Sequence, residues 1–401
     1  TTPPGGITPG VANFDCPEGY VAVPGDPALG TDTYPQGGFC VMKYEAKVDI
    51  NNDGKGDTNN SYLNCTSYYT YWYRGLSSWN VPNYFYDIWN IDGNSNRKLN
   101  SIYGGANLLD TYYNENCSGN QTVCDCNLFN YTPNVDYKVV SSAEGQPLGR
   151  VDYASAKKFC EEIDSGYKLI NNDEWMTIAR NIESQPENWV GGLGTGALKK
   201  GNTCNQATTL FSYSVYGPHG GNLIDRLNSS GTGSNRGSNS PAKLILSNGK
   251  TDREIWDLSG NMWEWVDFEF SPYQGPSIPG TTPGGWFEFD LVNNDGVFSP
   301  EQYKPINNMG SAQGAGKIYL NWTLTANHGL LRGGFNTASG WYGDCGHFTG
   351  IYSFYPILKS TNFYSKTLNQ PDTIYQQYLN TGGGNAYHYS SIGFRCVYVP
   401  N

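Results

Sequence analysis

Three tryptophans and two acidic residues lie together between Ile255 and Val266, in the sequence I-W-D-L-S-G-N-M-W-E-W-V. Because tryptophans bury large areas, we expect this segment, here called the tryptophan turn, to lie at the centre of a core. A buried carboxylate between Trp263 and Trp265 needs a partner, which is a basic residue, a set of backbone N–H groups or a metal ion. Asp257 and Glu264, with carbonyls between them, would form an all-oxygen set suited to calcium. The alternative is a turn whose acids accept hydrogen bonds from the backbone.

A second candidate calcium site is the sequence D-I-N-N-D-G-K-G-D, here called the Asp49 loop. Gly54 falls at the sharp turn of a calcium loop, but position twelve is Asn60 rather than Glu and no helix follows. An Asn- and Gly-rich surface turn is an equally good interpretation. The potential ligands are Asp49, Asn51, Asp53, the Lys55 carbonyl and Asp57.

Composition and charge exclude several classes of protein. The formal net charge of −11 argues against nucleic acid and against an anionic membrane surface. No apolar run reaches transmembrane length, so we expect no membrane insertion. The many Tyr and Asn residues and the few Lys residues are typical of a secreted protein, expected here as a mature chain after signal removal.

The ten cysteines are dispersed and form no zinc-binding pattern, which predicts disulfides and an oxidising compartment. Cys16 and Cys40 flank a predicted hairpin of strands 20–23 and 39–45 and are expected to staple it. Two helices are predicted further on. Asp152 caps the first, which ends at Gly166, whereas Asn171 and Glu174 form a capping box on the second.

The predicted organisation is an extended arm at 1–14 and a single domain at 15–401, with insertions at about 58–140 and 267–325. The arm is rich in Pro, Gly and Thr, and it lies either on its own domain or along a neighbouring subunit. Glycan attachment is predicted at seven N-x-S/T sequences, five of them clustered: Asn59, Asn64, Asn116, Asn120, Asn130, Asn228 and Asn321.

The order of several motifs resembles the formylglycine-generating-enzyme (sulfatase-modifying factor) family. These are F-C-V-M-K-Y-E, the two helices, W-D-L-S-G-N-M-W-E-W, L-R-G-G-F and G-F-R-C, spread from about residue 16 to 399. The resemblance implies an α+β, elaborated C-type-lectin-like fold with two main helices, short twisted strands and much irregular loop.

The resemblance also implies particular residues. It places calcium on Asp257, the Gly260 and Met262 carbonyls and Glu264, and it pairs Cys160 with Cys396. The family's two copper-binding catalytic cysteines correspond to Ala338 and Gly343. Since monovalent copper needs a thiolate pair, neither copper binding nor catalysis is expected, and the four histidines show no ligand spacing for an iron enzyme.

Two functions follow as hypotheses. The first is a structural subunit of an extracellular assembly or fibre, glycosylated and held to copies of itself through residues 1–14. The second is a monomeric adhesin that binds glycans or a cell-surface ligand through the aromatic-rich segment 335–392, whose composition resembles antibody paratopes. The predicted binding face comprises Trp341, Tyr342, Phe348, Tyr352, Tyr355, Tyr364, Tyr387 and Tyr389.

Overall fold

The structure is a computed structural model, and the part of the chain it describes forms two α-helices and eighteen short strands joined by irregular segments. This arrangement confirms the predicted α+β class. The described residues are 10–49, 52–56, 138–143, 153–194, 196–199, 243–260, 262–271, 275–278, 285–292, 298–307, 309–320, 328–334, 349–359, 364–365, 370–371 and 392–400.

A four-stranded antiparallel sheet joins the two ends of the described chain, in the order β1-β2-β18-β5. The predicted hairpin is confirmed, with Val21 opposite Val41, and the Cys16–Cys40 disulfide staples it. The strands are β1 (Tyr20–Pro24), β2 (Gly38–Met42), β5 (Tyr167–Leu169) and β18 (Cys396–Tyr398).

A six-stranded mixed sheet, in the order β11-β12-β14-β13-β10-β17, contains the second half of the tryptophan turn. Strands β11 and β12 come from the predicted insertion at 267–325, which therefore supplies sheet and core and is not a peripheral loop. The strands are β10 (Trp263–Glu269), β11 (Gly285–Phe287), β12 (Ile318–Leu320), β13 (His328–Arg332), β14 (Phe354–Leu358) and β17 (Ile392–Phe394).

Four two-stranded pairs complete the described strands. The β3–β4 pair joins residues before the other predicted insertion, at about 58–140, to the last three residues of it, so the strands close the base of that long excursion. The pairs are β3 (Lys47–Asp49) with β4 (Lys138–Val140), β6 (Trp189–Val190) with β7 (Ala197–Leu198), β8 (Lys243–Ile245) with β9 (Glu254–Trp256), and β15 (Tyr364–Ser365) with β16 (Gln370–Pro371).

The helices are α1 (Tyr153–Glu161) and α2 (Asn172–Glu183). The capping box of Asn171 and Glu174 is confirmed. Helix α1 ends before the predicted Gly166, because the chain tightens where the Ile163 N–H donates to the Cys160 carbonyl at 3.2 Å.

Two hydrophobic clusters pack on opposite sides of β10. Successive side chains of a strand point to opposite faces, so Trp265 joins the cluster beneath α1 and Val266 joins the cluster around α2. The buried Cys160–Cys396 disulfide, confirmed as predicted, fastens α1 to β18.

The described part of the predicted arm, residues 10–14, lies on its own domain. The Ala12 N–H donates to the Asn248 carbonyl at 3.0 Å. Burial alternates along the segment: Val11 and Asn13 are exposed, whereas Ala12 and Phe14 are buried. This alternation is that of an extended segment with one side on the core. Residues 1–9 lie outside the described residues.

Candidate functional site

The tryptophan turn lies in the core, as the sequence predicts. It begins in β9 and ends in β10, and Asp257 adopts a left-handed backbone conformation with a φ of 55°. Asp257 and Ser259 are each 1 % exposed. The Gly260 N–H donates to the Gly333 carbonyl at 3.1 Å, which joins this turn to the L-R-G-G-F segment.

The partner of the Glu264 carboxylate is Arg395, the arginine of the G-F-R-C motif. Its Nε donates to both carboxylate oxygens, at 3.0 and 2.9 Å, and both side chains are fully buried. The rest of the guanidinium donates to the Met42, Lys43 and Trp256 carbonyls at 3.2, 3.1 and 2.5 Å. Burial raises the pKa of Glu264, whereas the Arg395 guanidinium lowers it.

Asp257 is less well satisfied than Glu264. Among the residues that the structure describes, its Oδ2 atom has no hydrogen-bond partner. Burial raises the pKa of Asp257 well above its usual range, and the nearby Glu45 raises it further, whereas Arg395 and Lys47 lower it. The turn therefore buries two carboxyl groups, and Arg395 pairs directly with only one of them, Glu264.

The pairing of Glu264 with Arg395 affects the prediction that Asp257, Gly260, Met262 and Glu264 bind calcium. Both oxygens of Glu264 already contact a guanidinium, and a second cation on the same carboxylate would be repelled by it. No group of three His, Cys, Asp or Glu side chains suited to a metal occurs within the described ranges. Glu264 therefore does not fit the role of metal ligand here. Calcium at this turn stays a prediction, and the Glu264–Arg395 pair argues against it.

The described part of the Asp49 loop is a turn that the Asp49 carboxylate holds by hydrogen bonds. Asp49 is 1 % exposed, and its carboxylate accepts hydrogen bonds from the Asp53 and Gly54 N–H groups at 3.2 and 2.8 Å. Asn52 and Gly54 both have positive φ, and Asp53 accepts a hydrogen bond from the Lys55 N–H. Asn51 and Asp57 lie outside the described residues, so calcium at this loop also stays a prediction.

Arg332, the arginine of L-R-G-G-F, is fully buried and joins three segments. It donates to the Asn172 side chain on α2 and to the Gln302 carbonyl at 2.8 Å. It also donates to the Tyr352 carbonyl at 3.0 Å, and its guanidinium lies 4.7 Å from the centre of the Phe354 ring. Burial lowers the pKa of Arg332 to about 9. The contacts are those of a structural cross-link.

The predicted binding face needs one correction, because Tyr352 is fully buried. Its hydroxyl donates to Glu183, which also accepts hydrogen bonds from the Ile306 and Asn307 N–H groups at 2.9 and 2.6 Å. The prediction that Tyr352 lies on the surface is therefore wrong, because its hydroxyl donates a hydrogen bond to the buried carboxylate of Glu183. Tyr355 is partly exposed. The other members lie outside the residues whose side chains are described: Trp341, Tyr342, Phe348, Tyr364, Tyr387 and Tyr389.

A cluster of aromatic rings on the six-stranded sheet was not predicted from the sequence. Tyr355 packs with Trp286 and Tyr319 at ring-centroid distances of 5.2 Å, and Trp286 stacks on the buried Trp263 at 6.0 Å. We call Trp286, Tyr319 and Tyr355, which are all partly exposed, the aromatic platform. The alternation in K-I-Y-L and S-F-Y-P could have indicated it, but the sequence does not show that the two strands are neighbours.

Several predicted sites lie outside the described residues. They comprise Ala338, Gly343 and all seven predicted glycosylation sites. Nothing in the structure tests these positions. None of the helices in the described part of the chain is both long and apolar enough to cross a bilayer.

Fold and site together define an α+β protein with few helices, many short strands and a core fastened by a buried ion pair. No protein-family model and no curated protein matches the chain. A solved structure described as PvdO from Pseudomonas aeruginosa is similar at 13 % identity, over 64 % of this chain and 62 % of that one. The chain thus spans less than two thirds of that protein, and the TM-score of 0.28 is too low to support an argument.

Proposed function

We propose that this chain is a non-catalytic structural subunit of an extracellular assembly, in which the residues before Gly10 contact a neighbouring copy. The observation that carries the proposal is the fixed origin of the arm. Ala12 is hydrogen-bonded to Asn248, Phe14 lies in the core, and Cys16 is linked to Cys40. The described residues 10–16 therefore give residues 1–9 a fixed point of attachment, which suits a segment that binds a neighbour.

The compartment is argued from the cysteines. Both described disulfides join segments distant in sequence, and disulfides form and persist in oxidising environments. Seven N-x-S/T sequences would add a glycan coat in an organism that glycosylates asparagine. Both features support an extracellular location, and a mass shift after enzymatic deglycosylation would test the glycan coat.

The sequence supports the absence of catalysis. In the formylglycine-generating-enzyme family, which the chain resembles, two reactive cysteines occupy the positions of Ala338 and Gly343. Neither of these two residues supplies a thiolate. Cys345 alone cannot form the thiolate pair that monovalent copper needs. Copper-dependent oxygen uptake by the purified chain would refute this part of the proposal.

Assembly is tested by the mass of the oxidised protein in solution, measured by light scattering after size exclusion. We expect multimers for the full chain and monomers after deletion of residues 1–9. A deletion of 1–14 would be uninformative, because it removes the buried Ala12 and Phe14. The control replaces residues 1–9 by nine Gly and Ser residues, which keeps the length. A full chain that is monomeric at all concentrations would overturn the proposal.

A monomeric adhesin is the second candidate, and one observation favours it. Segment 335–391 leaves β13 and returns in β17, and these strands lie on either side of β10. Arg332 and Arg395 fix the two ends in the core. A rigid base with variable loops is the architecture of many binding proteins. A glycan screen with Trp341→Ala and Tyr387→Ala variants tests it, and unchanged binding would exclude this face.

Calcium at the Asp49 loop is proposed as a structural element of either protein. The loop follows β3, whose pairing with β4 closes the base of the excursion, so a bound cation would stabilise that junction. Asp49→Asn should reduce the rise in melting temperature that calcium produces. Asp252→Asn, which removes an exposed acid, is the control. A melting temperature unaffected by calcium or by chelator would exclude the site.

A further inference from the structure

We propose that Asn248 is a modification site, at which spontaneous deamidation detaches residues 10–13 from the domain. Asn248 precedes Gly249, and no other asparagine of the chain is followed by glycine. A glycine has no Cβ atom, so its backbone nitrogen reaches the preceding side-chain amide with the least hindrance. The inference goes beyond the proposed function, because it applies to a monomer as well as to an assembly.

Deamidation at this position is a balanced reaction with water. The Gly249 backbone nitrogen forms a bond to the Asn248 Cγ atom, the Cγ–Nδ2 bond breaks, and ammonia leaves with the proton of the glycine nitrogen. Water then opens the cyclic imide at either of its carbonyls. The product is an aspartate at position 248, or an isoaspartate whose main chain is longer by a methylene group. No oxidant and no cofactor enters the step.

Asn248 is the residue at which three segments of the chain meet. It is fully buried, and its Nδ2 atom donates to the Ala22 carbonyl of β1 at 2.9 Å and to the Asp252 carbonyl at 3.1 Å. Its Oδ1 atom accepts a hydrogen bond from the Lys250 N–H at 2.9 Å. Its main-chain carbonyl accepts a hydrogen bond from the Ala12 N–H at 3.0 Å. The same residue therefore holds β1, its own turn and the arm.

The arm packs against the glycine that takes part in the reaction. A Cβ added at Gly249 would lie 2.8 Å from the Cγ1 atom of Val11, so the Val11 side chain lies against this glycine. Asn181 of α2 also fixes the turn, because it accepts from the Ser247 N–H at 2.7 Å and donates to the Ser247 carbonyl at 2.9 Å. Ring closure at a buried, hydrogen-bonded amide requires local opening. Seating of the arm and deamidation of Asn248 therefore exclude each other.

Deamidation prevents the arm from returning to its seat. A carboxylate at position 248 has no N–H group, so the carbonyls of β1 and of the turn lose their donor and face charged oxygens. Burying a new charge there is also unfavourable. An isoaspartate would in addition move the main-chain carbonyl that holds Ala12. Phe14 lies in the core and Cys16 is linked to Cys40, so the detachment ends before Phe14.

The first test follows deamidation of the folded, disulfide-bonded protein by peptide mapping during incubation in mildly alkaline buffer. Ala12→Pro removes the N–H that donates to Asn248, so we expect Asn248 to be modified about fivefold or more faster than in the wild type. Asn13→Ala is the matched control and should match the wild type, because Asn13 is exposed and the Ala12 N–H stays in place. The peptide S-N-G-K gives the unprotected rate, and the wild-type protein should react more slowly than this peptide.

The second test measures whether the modification frees the arm. Hydrogen exchange at the Ala12 amide should be about tenfold or more faster in Asn248→Asp than in the wild type. If that variant does not fold, the deamidated fraction of aged wild-type protein, separated by its extra negative charge, takes its place. Equal deamidation of the wild type and Ala12→Pro, or of the wild type and the peptide, would overturn the inference. Unchanged exchange at Ala12 after modification would overturn it as well.

Discussion

The Nε atom of Arg395 lies 3.0 and 2.9 Å from the two oxygens of Glu264, and neither side chain is exposed. This pair joins the last motif of the chain to the tryptophan turn, 131 positions earlier in sequence. The same guanidinium donates to backbone carbonyls of β2 and β9. One side chain thus holds β2 and β9 to β10.

Breaking this pair should destabilise the fold. Arg395→Met leaves an uncompensated buried carboxylate and should lower the free energy of unfolding by about 3–5 kcal/mol. Adding Glu264→Gln should restore part of the loss, because it removes the stranded charge. Lys158→Met, which breaks the exposed Lys158–Glu162 pair, is the control and should change it by about 0.5 kcal/mol or less. Urea denaturation of the four proteins checks this, and equal losses for the two pairs would contradict it.

The buried Asp257 should make stability depend on pH. Its pKa is raised by folding, so its contribution is greatest below the unfolded value of 3.8 and is lost as pH rises through the folded-state pKa. Asp257→Asn should therefore flatten this part of the profile and preserve or increase stability at neutral pH. Asparagine suits the position because it tolerates the positive φ.

The same substitution discriminates between a protonated acid and a calcium ligand at this turn. Melting temperatures measured from pH 4 to 8, with calcium and with chelator, are the readout. If Asp257 held calcium, Asp257→Asn would lose stability at neutral pH and lose the response to calcium. The exposed Asp252→Asn variant should leave the pH profile unchanged.

Gly334 should not tolerate a side chain. Its φ is 81°, and an added Cβ would lie 2.6 Å from the Thr349 Cα atom. Gly30 has a φ of 71° but open space around the same position, so it isolates the conformational cost. Gly30→Ala should cost about 1 kcal/mol, and Gly334→Ala about 2 kcal/mol more. Chemical denaturation checks the difference, and similar costs would show that the L-R-G-G-F turn can relax.

The two disulfides should differ in stability and in accessibility. Cys160–Cys396 closes 236 residues and is buried, so its removal by double alanine substitution should cost about 3–5 kcal/mol. Cys16–Cys40 closes 24 residues and should cost about 2–3 kcal/mol. In the folded protein, mild reductant should open Cys16–Cys40 first, because Cys16 is partly exposed. Alkylation and peptide mapping check the order, and earlier opening of Cys160–Cys396 would contradict it.

Local patterns in the sequence determined much of the fold. The hairpin and the capping box depend on neighbours within a few residues, so their periodicity and caps can be read directly. The same hairpin predicts the disulfide between Cys16 and Cys40. The pairing of Cys160 with Cys396 came from the family resemblance and not from spacing.

The tertiary structure decided which partner each buried charge received. Glu264 requires a basic residue, backbone donors or a metal, and only the fold brings Arg395 to it, from the position that follows β17, a strand parallel to β10. Tyr352 belongs to a segment whose composition is typical of a binding loop, and this composition predicts a surface position. In the fold, its hydroxyl instead donates a hydrogen bond to Glu183. The aromatic platform likewise exists only because β11, β12 and β14 are neighbours. Long-range pairing, which chain topology sets, determines these contacts, and no local pattern encodes it.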